Sequence, residues 1–268
     1  MHSHAAALSL YWLGQAGFLL EASGLRILID PYLSDSLAKK YHNTAKPHDR
    51  LVPAPISPQA LGQVDLTICT HHHTDHMDGE TLMALADRLP GLRFMVPAAA
   101  RDMALERTGV SPERLIPADA GERHDLFEGR LSVHVMRAAH ETLERDHAGH
   151  HRFLGYGLEI GGHRVFHSGD TIPFAGQVDE IRAFAPDLML LPVNGRSEAL
   201  HRRGIAGNLT IGEAVDLTKA CGAPAMVPHH FGMFAFNTAD PRDIASAAAV
   251  APFQMITATH HTAIEPVP

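Results

Sequence analysis

The stretch THHHTDHMDG, residues 70–79, places four histidines and two aspartates in ten consecutive positions. In an extended segment, residues two apart point to the same side, so His71 and His73 can reach one ion together. Asp75 and His76 follow where the chain turns towards a helix, within reach of a second ion. Imidazole nitrogen and carboxylate oxygen suit zinc, manganese or iron, and no thiolate is required. Two divalent ions lower the pKa of bound water towards about 7, which supplies hydroxide as a nucleophile near neutrality. Asp75, beside that water, is the candidate catalytic group, shuttling its proton.

Histidine is abundant throughout, 21 in 268 residues, so most of the others must have ordinary roles. His134 lies within a strand pattern and reads as a surface position. His147, His150 and His151 lie in a polar stretch and read as solvated. His260 and His261 read as pocket or surface residues, and His2 and His4, next to the start, are set aside.

These groups need elements to hold them. SLYWLGQAGFLLEASGLRILIDPYL reads as two or three strands broken by Gly14, Gly17 and the Ser23-Gly24 turn. Residues 31–63 carry several prolines and read as one long irregular loop, in which Tyr32 and the chain as far as Pro58 are a candidate lid. Val64–Thr70 is a short buried strand running into the histidine cluster. Gly79 gives the chain room to turn, and Leu82, Leu85, Ala86 and Leu89 then recur at helical spacing. Pro97–Thr108 reads as a helix stopped by Gly109.

Leu131, Val133 and Val135 alternate into a strand that ends just before His140. Gly161-Gly162 signals a hairpin whose far end delivers Ser168-Gly169-Asp170. DLMLLPV, 187–193, is a buried strand ending in Asn194-Gly195-Arg196. Thr210 with Glu213 makes a capping box for a helix that Gly222 ends. Ala225–Pro228 is a strand ending at His229-His230, and Asp240-Pro241 starts the last helix. Strands punctuated by helices, with histidines and aspartates at strand ends, make a mixed α/β fold in one domain spanning 1–268.

The motif His71-x-His73-x-Asp75-His76-x-x-Gly79 resembles the metal-binding signature of the metallo-β-lactamase superfamily at every fixed position. That resemblance implies a four-layer αββα sandwich and three further ligands in order. MRAAH supplies His140, HSGDT supplies Asp170, and VPHHFG supplies His229 or His230. The family pattern around Pro228-His229-His230-Phe231 favours His230, with His229 the alternative. By the same resemblance His71, His73 and His140 would hold one ion, Asp75, His76 and His230 the other, and Asp170 would bridge. WLGQAGFLLEASGLRILIDPYLSD, HRFLGYGLEIGGHRVFHSGDT and LLPVNGR look like the branch containing L-ascorbate-6-phosphate lactonase. The lactonase branch implies manganese, the wider superfamily zinc, with iron a lesser candidate, and members of the branch often form homo-oligomers.

Asp30, closing LRILID, reads either as a group orienting a ligand histidine or as a turn cap before Pro31. Asn194 and Arg196, with Arg202, Arg203 and Asn208 beyond them, read either as contacts to a substrate phosphate or carboxylate or as a solvated loop. Phe231, Phe234 and Phe236 could line a pocket wall or fill the core.

The totals bound the function. The net charge is −8 with histidines neutral, and no run of Lys or Arg exceeds two, which argues against nucleic acid as a partner. No apolar run approaches the roughly 20 residues of a membrane span, and no secretory signal is evident, so a cytoplasmic location is expected. Two cysteines give no disulfide framework. The expectation is a dinuclear metal-dependent hydrolase of a small anionic ester or lactone. A phosphodiesterase, a non-catalytic metal- or ligand-binding protein, and an oxygen-handling iron enzyme are the rivals.

Overall fold

A computed structural model of the protein describes residues 7–260 and 262–264. His2, His4 and His261 lie outside the described residues. In chain order the elements begin β1 (Ser9–Gly14), β2 (Gly17–Ala22), β3 (Leu25–Ile29), α1 (Ser36–Lys40), β4 (Leu66–Ile68), α2 (Gly79–Arg88) and β5 (Arg93–Pro97). They continue α3 (Arg101–Thr108), β6 (Leu115–Ala118), β7 (Arg123–Leu126), β8 (Leu131–Arg137), β9 (Leu154–Ile160), β10 (His163–His167) and α4 (Gln177–Phe184). The last are β11 (Leu188–Pro192), α5 (Glu198–Arg202), α6 (Ile211–Cys221), β12 (Ala225–His229), α7 (Pro241–Ala248), β13 (Gln254–Met255) and β14 (Ala263–Ile264).

The strands form two seven-stranded sheets, ordered β14-β1-β2-β3-β4-β5-β6 and β13-β12-β11-β10-β9-β8-β7. Period-two alternation decides what each face meets. In the first sheet Phe18, Leu20, Ile27 and Ile29 face a core shared with Val133, Leu158, Val165 and Leu190 of the second. The intervening Leu19 and Leu28 turn outwards and pack with Leu82 and Leu85 of α2 and Ala104 of α3. Against the second sheet lie Ile181 of α4, Leu217 of α6 and Ile244 of α7. The result is the αββα sandwich, each fully buried aliphatic side chain contributing about 1.5–3 kcal/mol of transfer free energy.

Several local expectations meet their geometry here. Gly161 and Gly162 have φ of +61° and +87°, the double left-handed turn of a tight hairpin between β9 and β10. Thr210 and Glu213 exchange both bonds of the capping box, and Gly222 ends α6 at φ +74°. Other readings are corrected. Residues 31–63 are not wholly irregular, because α1 forms within them. Pro97–Thr108 is not one helix: Pro97 ends β5, a 3-10 turn spans Ala98–Ala100, and α3 begins at Arg101. Among the described residues no helix is long and apolar enough to cross a membrane.

Candidate metal centre

The strand ends of both sheets converge on one point. From the first sheet, β4 runs into residues 70–78, where His76 and Met77 both donate backbone N–H bonds to the His73 carbonyl at 3.1 and 2.8 Å. This folds the motif into a tight turn that turns its side chains inwards. Arg107, on α3, grips the turn from outside, donating from Nη1 to the carbonyls of His72 (2.5 Å) and Met77 (2.9 Å). Asp78 caps α2, accepting from the Thr81 amide at 3.2 Å, and also accepts from the Ser36 hydroxyl at 2.7 Å. Gly79 has no positive φ, so the conformational freedom expected of it is not used; a Cβ there would lie 3.5 Å from Arg107 Cγ.

The second sheet delivers the rest. His140 follows β8, Asp170 follows β10, and His230 follows β12. Gly169 is needed for the Asp170 turn: its φ is +61°, and a Cβ would fall 2.6 Å from the Leu154 carbonyl oxygen. His230 itself adopts φ +62°, held by its amide donating 2.8 Å to the Gln15 carbonyl.

Three overlapping groups result: His71, His73 and His140; His71, His76 and Asp170; and Asp75, His76 and His230. Within each, one ligand-capable atom per residue lies within 4.8 Å of the others. His230 Nε2 stands 3.2 Å from Asp170 Oδ2 and 3.6 Å from Asp75 Oδ2, and His76 Nε2 stands 3.4 Å from Asp170 Oδ1. Among the described residues the buried His76 Nε2 and Asp170 Oδ1 have no well-aligned hydrogen-bond partner, although they face each other at 3.4 Å. Leaving such atoms unpaired costs about 1–3 kcal/mol each, more for a charged group, and a cation between them removes that cost. A nitrogen–oxygen donor set with orphaned, inward-facing atoms fits divalent metal ions.

The electrostatics divide the histidines. Burial lowers the pKa of His71 well below its ordinary value, reinforced by His76 and His73, and lowers His73 too. Burial brings His140 down to about 4. These three rings are neutral at pH 7 and ready to ligate. Burial also opposes charge on His230, but Asp170 and Asp75 outweigh it and raise the pKa to about 9. For His76 the carboxylates of Asp170, Asp30 and Asp75 likewise overcome burial. Asp170 and Asp75 are held below the usual carboxylate range because His230 and His76 outweigh the effect of burial on each.

Asp30, fully buried, does more than cap a turn. Its Oδ2 lies 2.6 Å from His76 Nδ1, and it accepts from the Thr70 amide (2.7 Å) and hydroxyl (2.6 Å). His229 stands outside the three groups: its ring stacks on His167 with centroids 4.7 Å apart, and among the described residues neither nitrogen has a hydrogen-bond partner. Asn194 does not line the cavity itself; it donates at 2.8 Å to Oδ1 of Asn237, which does. Arg196 is corrected as a substrate contact, because both its Nη atoms are engaged by Glu213 at 2.5 Å and it does not line the cavity. Tyr32 does not line the cavity, being fully buried beneath Arg50, whose guanidinium carbon lies 4.9 Å from its ring centre, but Leu37, Lys40, Tyr41, Lys46 and His48 of the same segment do. His151 is buried and bonded to Asp119 at 2.9 Å, not solvated. His260 packs against Trp12, ring centres 5.0 Å apart.

Two neighbours escaped the sequence. Gln15 Nε2 bonds Asp75 Oδ2 at 2.9 Å and sits 3.1 Å from His230 Nε2. Its only signal is a polar residue between glycines at a hairpin tip. Phe153 lies beside His71 and His140, ring centres 5.1 and 5.2 Å away, and walls the cluster with an apolar face. The cluster opens into a cavity of about 560 Å³ whose walls include Lys46, His48, Phe234, Phe236 and Asn237.

Comparison with known proteins agrees with this architecture. Residues 25–231 match the family described as the beta-lactamase superfamily domain. An uncharacterized protein of Mycobacterium tuberculosis is 30% identical over 237 residues, 86% of this chain; the chain spans 60% of the length of that relative. A UPF0173 metal-dependent hydrolase of Aeropyrum pernix is 28% identical over 249 residues, covering 87% of this chain and 86% of that protein. The solved structure of Igni18, a metallo hydrolase of Ignicoccus hospitalis, shares the fold with a TM-score of 0.69 at 22% identity, covering 96% of this chain and 97% of that one.

Proposed function

The chain belongs to the beta-lactamase superfamily, and from that membership we propose that it is a metal-dependent hydrolase of a small anionic ester or lactone. The observation that carries this reading is the meeting of seven side chains from both sheets, His71, His73, Asp75, His76, His140, Asp170 and His230, in three overlapping ligand groups. His71, His73 and His140 would hold one divalent cation and Asp75, His76 and His230 a second, with Asp170 available as a further carboxylate ligand. Zinc and manganese both suit the donors. When bound, the pair supplies Lewis acidity for the scissile carbonyl and a lowered pKa for the attacking water.

The chain's own groups do the rest. Asp75 is the more accessible of the two carboxylates in the cluster, its side chain 18% exposed against 4% for Asp170. In this reading it takes the proton of the attacking water and returns it to the leaving alkoxide oxygen as the acyl carbon–oxygen bond breaks. Gln15, donating to Asp75 Oδ2, fixes the carboxylate's orientation. Phe153 keeps bulk water from the His71 and His140 side.

Elemental analysis of protein purified without added metal tests the reading, run beside His71→Ala and Asp170→Ala. About two ions per wild-type chain, falling in both variants, are expected for a paired site. A turnover screen pairing lactones with nitrophenyl phosphodiesters decides the reaction: hydrolysis of phosphodiesters alone would replace the lactonase reading with a phosphodiesterase.

A further inference from the structure

The cavity above the cluster is lined unevenly. Its only lining carboxylates among the described residues are Asp75 and Asp170, both at the cluster. The same lining carries three cationic residues, Lys40, Lys46 and Arg107. Arg107 is already occupied with the carbonyls of His72 and Met77. Lys39, the immediate neighbour of Lys40, points elsewhere and pairs with Glu80 at 2.6 Å. Neither Lys40 nor Lys46 forms an ion pair among the described residues, although Lys46 is half-buried.

Burial chiefly lowers the pKa of His48, opposed by the bond to the Lys46 carbonyl and by Asp75, with Lys40 and Lys46 adding smaller lowering effects. His48 is itself fixed. Its ring stacks on Tyr41 at 4.2 Å and meets Phe234 and Phe236 edge-on at 5.2 and 4.8 Å, and its Nδ1 lies 2.8 Å from the Lys46 carbonyl oxygen. The loop beyond is anchored by the Leu51 amide, 2.9 Å from the Met233 carbonyl. The lysines therefore sit on a packed aromatic base, not on a free strand of chain. With no carboxylate paired to it among the described residues, the Lys46 ammonium is available to an incoming anion.

The geometry points to Lys46, aided by Lys40, as a specificity subsite that binds a carboxylate or phosphate on the substrate, remote from the bond that breaks. Tyr41, His48, Phe234 and Phe236 pack the apolar segment between the two ends. This deepens the hydrolase reading above and rests on it for the identity of the reacting end. The charge pattern sorts substrates: the reacting carbonyl goes to the cluster and the free anion to the lysines. A neutral ester of the same length finds only the cluster.

The test compares three substrates on metal-loaded protein: 4-nitrophenyl hemisuccinate, 4-nitrophenyl 3-phosphonopropanoate and neutral 4-nitrophenyl butanoate. Lys46→Ala is expected to lower kcat/KM about tenfold on the anionic esters, mainly through KM, and to leave butanoate within about twofold. Lys46→Arg retains the preference, Lys46→Glu inverts it, and Lys40→Ala gives a smaller loss of about threefold. Whichever anionic ester loses more identifies carboxylate or phosphate as the favoured group. An equal loss on butanoate overturns the subsite. Calorimetric titration of wild type and Lys46→Ala with succinate and with acetate gives a readout without turnover. Succinate binding weakens selectively in the variant if the subsite is real, and an unchanged succinate affinity overturns it. Wild type that hydrolyses none of the esters yet shows this succinate pattern would end the hydrolase reading and leave the subsite standing.

Discussion

His76 Nδ1 lies 2.6 Å from Asp30 Oδ2, both side chains fully buried, so the imidazole's other nitrogen is aimed at Asp75 and Asp170. The same carboxylate takes the Thr70 amide and hydroxyl, and that hydroxyl lies 3.0 Å from His71 Nδ1. One buried aspartate at the end of β3 thus sets the orientation of two imidazoles on the neighbouring turn. A partner on the far nitrogen of a ligating histidine fixes both its tautomer and its direction.

Asp30→Ala should therefore weaken metal binding by about 10–100-fold without removing any ligand. It should also destabilise the metal-free fold by about 1–3 kcal/mol through the stranded Thr70 amide. Asp30→Asn, which tolerates the native φ of +44°, should fold better and still bind metal poorly. Competition titration against a chelating dye reads the affinity, and wild-type affinity in both variants would refute the orienting role.

Arg107 should matter for the shape of the motif while leaving the ligands in place. Arg107→Ala removes both bonds to the turn at residues 72 and 77, a loss of about 2 kcal/mol in denaturant unfolding. Lysine carries the charge but lacks the fork, so Arg107→Lys should recover less than half. Equal stability of alanine and wild type would show that the turn holds itself.

Proton release should accompany metal binding. His230, raised to about 9, and His76, raised by its carboxylates, hold protons at pH 7.5 that a cation must displace. The low-shifted His71, His73 and His140 hold none. Calorimetry in buffers of different ionisation heat should report about two protons released at pH 7.5. For the metal-free protein the sign follows from linkage. His230's raised pKa contributes stability that is full below about 6.5 and fades as pH rises through about 9. Asp75 and Asp170, shifted down, contribute stability that is present above about 3.8 and lost in acid. The low-shifted His71, His73 and His140 withdraw stability as pH falls below about 6.5, so chelated protein should melt highest near pH 6.5–7, while a curve rising steadily to pH 9 would contradict the assignment.

The two cysteines should be inert in the folded state. Burial lifts the Cys221 thiol to about 11 and raises Cys69 well above the ordinary value. At pH 8 the thiolate fraction of Cys221 is on the order of one in a thousand, so alkylation should be slow and gain about tenfold per pH unit. Unfolding in urea should expose both to rapid labelling.

The turn at 70–79 was legible because its chemistry is local: six titratable side chains share ten positions, and the spacing alone says which can act together. His140, Asp170 and His230 were reachable only through resemblance, since nothing local separates them from other histidines and aspartates. Gln15 and Lys46 were illegible because what matters about them is a neighbour far along the chain. Elements missed from the sequence share a cause. Arg123–Leu126 forms the edge strand β7 with a largely exposed, charged pattern, which hydrophobic alternation does not register. β6, at the other sheet's edge, carries Pro117, a residue that argues against a strand anywhere but an edge. α4 starts at Gly176 without a side-chain cap, so no polar residue announced it.

The ligand groups draw on both halves of the sandwich: residues 71–76 leave the first sheet, and His140, Asp170 and His230 leave the second. A cation held among them is a rivet across the seam as well as a reagent. Adhesion between the halves then depends on the ambient concentration of free metal. The shared core holds the halves together in any case, so scarcity of that metal would thin the margin of stability and raise the exposure of the chain to proteolysis.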